Sequence, residues 1–332
     1  MDKAKIYFHN IDALKGLAIL LMVMAHVLAW SYREPNFLNN SLCELEQNQF
    51  CAAFMFRLIY SFHMPLLFFV SGFLFYKAID YNRVTVVKIF TKRIQRILIP
   101  YVFTGIFVYI LRGYFGYWFL QILFIVNCIV LLENLILQSL KKGIYVELAM
   151  HFFVYFILTI FSRFIGHYDL PREFMNIGGV NSYYLAFVFG CMIRHYQLLE
   201  VKLLNMKTNL FCLALFVLLF ILDNSSYKLS ILGILIPILA IGFLYGAFKA
   251  SDYSWLEIVG KNSLEIYILH IFFVMPFKEV GDYILGQNDF PFSLTLQICY
   301  SLVISVISIK LSVKIADFLK QNKCLSKLLF GI

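Results

Sequence analysis

Residues 11–30 read IDALKGLAILLMVMAHVLAW, an apolar stretch of the length that crosses a bilayer core, about 20 residues at 1.5 Å each. An aspartate, a lysine and a histidine are set into it. One reading is a secretory leader, because Lys3 and Lys5 precede the stretch and Val27-Leu28-Ala29 has the form of a cleavage site. The other is a first membrane span. A leader would discard Asp12, Lys15 and His26, which are costly residues to place in lipid, so the span is the stronger reading.

The same pattern recurs along the chain. Apolar runs follow at 56–78, 97–112, 117–137, 145–164, 182–199, 210–222, 229–248, 263–277 and 292–311, about ten in all, with those near Leu210 and Ser263 short. The 332 residues are 61% hydrophobic and 14% charged, with mean hydropathy +0.80, against about 45–50% apolar and about 25% charged in soluble domains. There is too little charge to cover a water-soluble surface, so lipid takes the outer faces. The fold expected is an all-α integral membrane bundle of about ten transmembrane helices, one domain over residues 1–332 with no separate soluble domain.

The net charge of +9 would suggest nucleic acid in a soluble protein, but its distribution assigns it to topology. Lys3 and Lys5, the cluster from Lys77 to Arg96, Lys141 and Lys142, Arg194 to Lys207, Lys249 and Lys261, and the lysines from Lys310 to Lys327 fall on one side of the alternating spans. Basic residues in short loops stay in the cytosol, so both termini are expected there, in the cell membrane, with the bilayer and not nucleic acid as partner. Seven cysteines show neither CxxC nor Cys/His ligand spacing, so no metal site is expected. Cys43 and Cys51 share a loop, and a disulfide between them requires that loop to be extracytoplasmic.

Ionisable groups within spans are expensive unless they face a polar interior, which makes each a candidate for function. Asp12, Lys15, Ile19, Met22 and His26 fall on one face of the first helix, with Lys15 and His26 about three turns apart. Asp12 and Lys15 also read as a terminal ion pair reaching the headgroups, and His26 as a hydrogen-bonded packing residue. In SFHMPLLFFVSGFLF, Pro65 withholds an N–H from the Ser61 carbonyl and opens the helix beside His63. His63 is then a partner for His26 at similar depth, or a satisfied residue at a proline kink. Ser71 and Gly72 form a small pair suited to close helix packing.

Beyond the second span, KIFTKRIQRILIPY sets Lys88, Lys92, Arg93 and Arg96 at helical spacing, and Pro100 marks a break at the third span. Topological retention, anionic lipid and a phosphate-bearing cytosolic ligand all account for that patch. In KNSLEIYILHIFF, Ser263, Tyr267 and His270 share a face, which reads first as a hydrogen-bonded interhelical cluster.

Taken in order, IDALKGLAILLMVMAH, SFHMPLLFFVSGFLF, KRIQRILIPY, YWFL and GKNSLEIYILH resemble the membrane acyltransferase-3 family, from Ile11 to about His270. That family includes bacterial enzymes that O-acetylate or succinylate surface polysaccharides. The resemblance implies that His26 is catalytic, and that Lys15 stands where the family usually has arginine, which keeps the charge but loses the bidentate fork. Arg93 and Arg96 match its cytosolic basic motif, associated with the acyl-CoA donor, and Ser71, Gly72 and Phe73 match its SGF element. The donor-binding set implied is Lys15, Ser71, Arg93 and Arg96. His63 joins His26 as a catalytic candidate that orients it or the acceptor.

The activity implied is transfer of an acyl group, acetyl first among them, from cytosolic acetyl-CoA or another acyl-CoA to a cell-envelope glycan or glycolipid hydroxyl, with no tightly bound cofactor. Other classes stay open from the residues alone. A secondary transporter also uses intramembrane Lys, Asp and His, although no inverted repeat is visible, and a polysaccharide exporter or ligase of the envelope is the third.

Overall fold

The structure, a computed structural model, describes residues 9–31, 47–76, 81–113, 116–139, 143–165, 177–224, 229–248, 253–274 and 277–332. The Cys43–Cys51 pairing lies outside them. Among the described residues there are helices and turns but no strand. The order is α1 His9–Ser31, α2 Gln47–Tyr60, α3 His63–Phe75 and α4 Arg83–Arg93, then a π-turn Ile94–Leu98 that feeds α5 Ile99–Arg112. Next are α6 Trp118–Ser139, α7 Ile144–Ile165, α8 Ile177–His195, α9 Gln197–Leu203, α10 Met206–Asp223 and α11 Leu232–Ala247. Then come α12 Ser254–Lys261, α13 Ser263–Leu269 with a 3-10 turn His270–Phe272, α14 Lys278–Leu285, α15 Phe290–Lys320 and α16 Lys323–Leu325, which ends in a second π-turn, Ser326–Phe330.

Among the described residues, seven helical runs are long and apolar enough to cross a membrane: His9–Ala29, Ala53–Phe75, Arg83–Leu111, Trp118–Gln138, Ile144–Phe164, Met206–Asp223 and Phe290–Lys320. Leu232–Ala247 and Ser263–Phe272 are apolar but shorter. The chain divides into two compact units, Met1–Val70 with Leu198–Ala316, and Ser71–Gln197 with Asp317–Ile332.

The first unit is built around α1, whose Ile11, Leu14, Ala18, Ile19, Met22, Val23, Ala25 and Val27 are all buried. A helix with this many buried apolar side chains is one enclosed by others. Its closest neighbour is α12, and two glycines make the approach: a Cβ built on Gly16 would lie 1.9 Å from the Leu256 carbonyl oxygen, and one on Gly260 1.9 Å from that of Asp12. Any side chain at either position separates the helices. Elsewhere in this unit Phe216 of α10 and Leu232, Ile236 and Ala240 of α11 pack with Leu58 and Phe62. The helix opens at Ser61-Phe62, two residues before His63, as the Pro65 reading expects. His63 Nδ1 donates to the Ile59 carbonyl at 2.8 Å and so ties the two half-helices together.

In the second unit the end of α3 lies against α8. A Cβ on Gly72 would meet the Phe187 carbonyl oxygen at 1.9 Å, and Cys191 Sγ donates to the Gly72 carbonyl at 3.3 Å, so Gly72 serves close helix packing. Pro100 does not break the chain where a break was expected. Its missing N–H is absorbed by the π-turn Ile94–Leu98, and helix runs without interruption from Arg83 to Leu111. The second π-turn ends on Gly331 at φ +67, whose Cβ position lies 2.4 Å from the Gln95 carbonyl oxygen, so only glycine fits there.

Helix α7 shows phenylalanines at 152, 153, 156, 161 and 164 on its exposed sides and turns a polar edge inward, where Thr159 bonds Asn181 at 3.0 Å. With little apolar surface to bury, polar bonds hold this helix in place.

Candidate functional site

The sequence singles out His26 for its place in an apolar helix, and the first unit supplies its partner. His26 Nδ1 lies 2.8 Å from His270 Nε2, with the rings within 5° of parallel. His270 Nδ1 lies 2.8 Å from the Tyr267 carbonyl and 3.0 Å from that of Ile266. Carbonyls only accept, so Nδ1 of His270 carries the proton and Nε2 carries the lone pair. His26 Nδ1–H therefore donates to His270, and the lone pair of His26 is assigned to Nε2. Two imidazoles this close, one of them fully buried, do not both take charge. With both rings neutral, the arrangement leaves one defined basic nitrogen on His26, Nε2, the logic by which an orienting group fixes the tautomer of a general base.

His270 is held in turn. It begins the 3-10 turn that ends α13, is 1% exposed, and accepts through its own carbonyl a bond from Ser308 Oγ at 3.4 Å. His63 is also buried and is an electrostatic neighbour of His26. Its Nδ1 is engaged by Ile59, which puts its lone pair on Nε2 as well, and the Tyr60 ring meets it edge-on at 4.9 Å. Three histidines from α1, α3 and the turn after α13 thus gather in one place. Replacing His270 by alanine is expected to lower turnover by on the order of 10²-fold, because His26 then samples both tautomers. Glutamine, whose side-chain oxygen accepts the Nδ1–H bond, should recover part of the loss in steady-state assays.

Lys15 lies eleven positions before His26 on α1, about 16 Å along the axis. Asp12 and Glu265 are its anionic neighbours. At the same end His9 Nδ1 donates to Glu257 at 2.9 Å, and Lys261 approaches that carboxylate at 4.0 Å. Asp12, Lys15, Glu257, Lys261 and Glu265 thus gather at one end of the unit, about three turns of α1 from His26.

The remaining predicted residues belong to the second unit. Arg93 is half-buried with its guanidinium 5.2 Å from the Phe75 ring centroid, while Lys88, Lys92 and Arg96 are exposed. Arg96 lies inside the π-turn, a geometry that recurs at functional sites. Ser71 is half-buried at the start of the close α3–α8 packing, and Arg194 lies over the Phe73 ring at 5.2 Å.

The second unit also holds a cluster that the sequence reading did not single out. Tyr184 donates a short bond to Glu133, and His151 Nδ1 lies 3.0 Å from Tyr184 Oη and 3.3 Å from Glu133. Glu147 accepts from Tyr196 at 2.6 Å and from His195 at 3.1 Å. Burial pushes the Tyr76 phenol up to about 12 and raises that of Tyr196, with Glu147 adding to both, so each remains a donor at neutral pH. The signal was available, since Glu133 and His151 are ionisable residues inside apolar runs. Among the described residues no group of three or more His, Cys, Asp or Glu side chains is arranged to hold a metal ion.

Among the described residues the chain is all-helical with seven membrane-length helices, and its first unit holds a tautomer-defined histidine pair; these are the marks of a multi-pass membrane protein. Residues 8–310 match the model of the acyltransferase-3 family, described as an acyltransferase domain, and the chain belongs to that family. It is a membrane acyltransferase. No curated protein and no solved structure matches it.

Proposed function

We propose that this protein moves an acyl group, acetyl first among the candidates, from cytosolic acyl-CoA to a hydroxyl of a cell-envelope glycan or glycolipid. The observation that carries the reading is the His26–His270 pair, which presents His26 Nε2 as a base. A sugar hydroxyl does not ionise near neutral pH, so its attack on a thioester calls for such a base. As the hydroxyl oxygen bonds to the acyl carbon, His26 Nε2 takes its proton. The carbon–sulfur bond breaks, and the coenzyme A thiolate leaves and takes up a proton. His63 orients the acceptor or His26.

The phosphates of the donor suit guanidinium and ammonium groups, the role assigned to Arg93, Arg96 and Lys15, and Ser71 is the fourth donor-binding candidate. The topology that goes with this reading has about ten spans in the cell membrane, with both termini in the cytosol on the side where the lysines and arginines cluster.

The test is transfer of labelled acetyl groups from acetyl-CoA to glycan in membranes containing the full chain. Label must reach the glycan only when the protein is present; solute flux with no acyl-CoA requirement would replace this reading with a transporter. In the same assay, replacing both Arg93 and Arg96 by alanine is expected to raise KM for acyl-CoA by about tenfold or more with kcat little changed, since each removes a charge-assisted phosphate contact.

A further inference from the structure

Helix α15 carries one polar face that the proposed chemistry does not use. Ser293, Gln297, Ser301, Ser305, Ser308 and Ser312 recur at helical spacing and are each 0% exposed, while Phe292, Leu302, Val303 and Ile307 occupy exposed positions. Three of these side chains make local or structural bonds: Ser293 to the Ile284 carbonyl, Ser301 to that of Ile298, and Ser308 to that of His270. The others do not. Both amide atoms of Gln297, and the hydroxyls of Ser305 and Ser312, are buried without a hydrogen-bond partner.

A buried carboxamide with neither its donors nor its acceptor satisfied destabilises the fold that contains it, and the expected explanation is a missing partner. Serines serve close helix packing elsewhere in membranes; glutamine, long and fully polar, does not.

The position of this face is set by chain direction within the first unit. From Gly260, which touches Asp12, α13 runs to His270, which touches His26. The chain then forms α14 and returns as α15, with Ser293 against the end of α14 and Ser308 against His270. Gln297, Ser301 and Ser305 therefore lie on the side of the histidine pair away from Lys15. Gln297 is eleven residues before Ser308, about 16 Å along the helix. In the topology proposed above, that is the outer side.

We propose that this face of α15 is the acceptor-binding lane, and that its occupant is a neutral polyhydroxylated glycan segment led to His26. The inference rests on the reading given under Proposed function. The chemistry of the face selects the class. Hydroxyls and a carboxamide both donate and accept, as sugar hydroxyls do, and none of these six side chains carries a charge with which to hold the phosphates of the donor or an acidic sugar. Gln297, able to bond one hydroxyl through its oxygen and another through its nitrogen, is the specificity residue of the lane.

Two measurements on the full-length protein in membranes test it. In the first, Ser305→Cys is treated with a charged, membrane-impermeant methanethiosulfonate and modification is read by peptide mass spectrometry. The lane predicts labelling at position 305 but not at the exposed Cys299 of the same helix; a dry helix interface predicts none at 305 and overturns the proposal. In the second, Gln297→Leu is assayed with glycan extracted from the envelope of the expressing cells. The half-saturating glycan concentration should rise about tenfold, with KM for acyl-CoA unchanged and thermal stability equal or higher. Unchanged glycan dependence with higher stability would reduce Gln297 to a packing defect and overturn the lane. Wild-type protein that releases no coenzyme A from acyl-CoA would instead sink the acyltransfer reading, which the labelling experiment does not depend on.

Discussion

Replacing His26 by alanine is expected to lower acyl transfer by about 10²–10⁴-fold, the usual contribution of a positioned general base, while protein level in the membrane stays near that of the wild type. The geometry sharpens the comparison. Alanine removes the basic Nε2 and also the donor that satisfies His270 Nε2. Asparagine offers an N–H toward His270 but no base, so His26→Asn should match alanine in activity and exceed it in thermal stability. Transfer at wild-type rate in either variant would remove His26 from the chemistry. A variant as inactive as alanine but absent from the membrane would say only that the pair holds helices together, which is why stability and rate are measured on the same preparations.

The second large effect concerns folding. Gly16→Val and Gly260→Val each place a side chain where a Cβ alone already lies 1.9 Å from a backbone oxygen of the facing helix. A flexible side chain can swing away from such a contact; a helix backbone cannot. The helices α1 and α12 must then separate, at the level of α1 that carries Asp12 and Lys15. A loss of at least about 3 kcal/mol is expected, at or beyond the upper end for overpacking, seen as loss of monodisperse protein in detergent or a fall in melting temperature. Gly233→Ala in α11 is the control, because nothing lies within 4 Å of its Cβ position and alanine favours helix. Valine tolerated at both Gly16 and Gly260 would contradict the close α1–α12 crossing.

Much of the site was legible because lipid is an unforgiving solvent. A histidine or lysine in an apolar run needs a reason, and that rule alone finds His26, Lys15 and His63. The same rule reaches Glu133 and His151, which no recognisable motif brought forward. His270 was seen, but as a member of an interhelical cluster; that its partner is His26, 244 residues away, depends on how α13 returns to α1, which no local pattern encodes. Pro100 shows the limit from the other side. The missing N–H is certain from sequence, but whether the chain breaks or inserts a π-turn depends on what the neighbouring helices allow.

The sequence by itself determined the solvent of this protein, its helical class and the ionisable residues that lipid would not tolerate without purpose, because each follows from transfer energies summed along the chain. Its linked motifs also carried the family. Only the tertiary structure decided which nitrogen of His26 holds the lone pair, which glycines set a helix spacing and which buried polar atoms on α15 go without a partner. Those depend on distances of about 3 Å between segments far apart in sequence, and hydrogen bonds and steric contacts act only at that range.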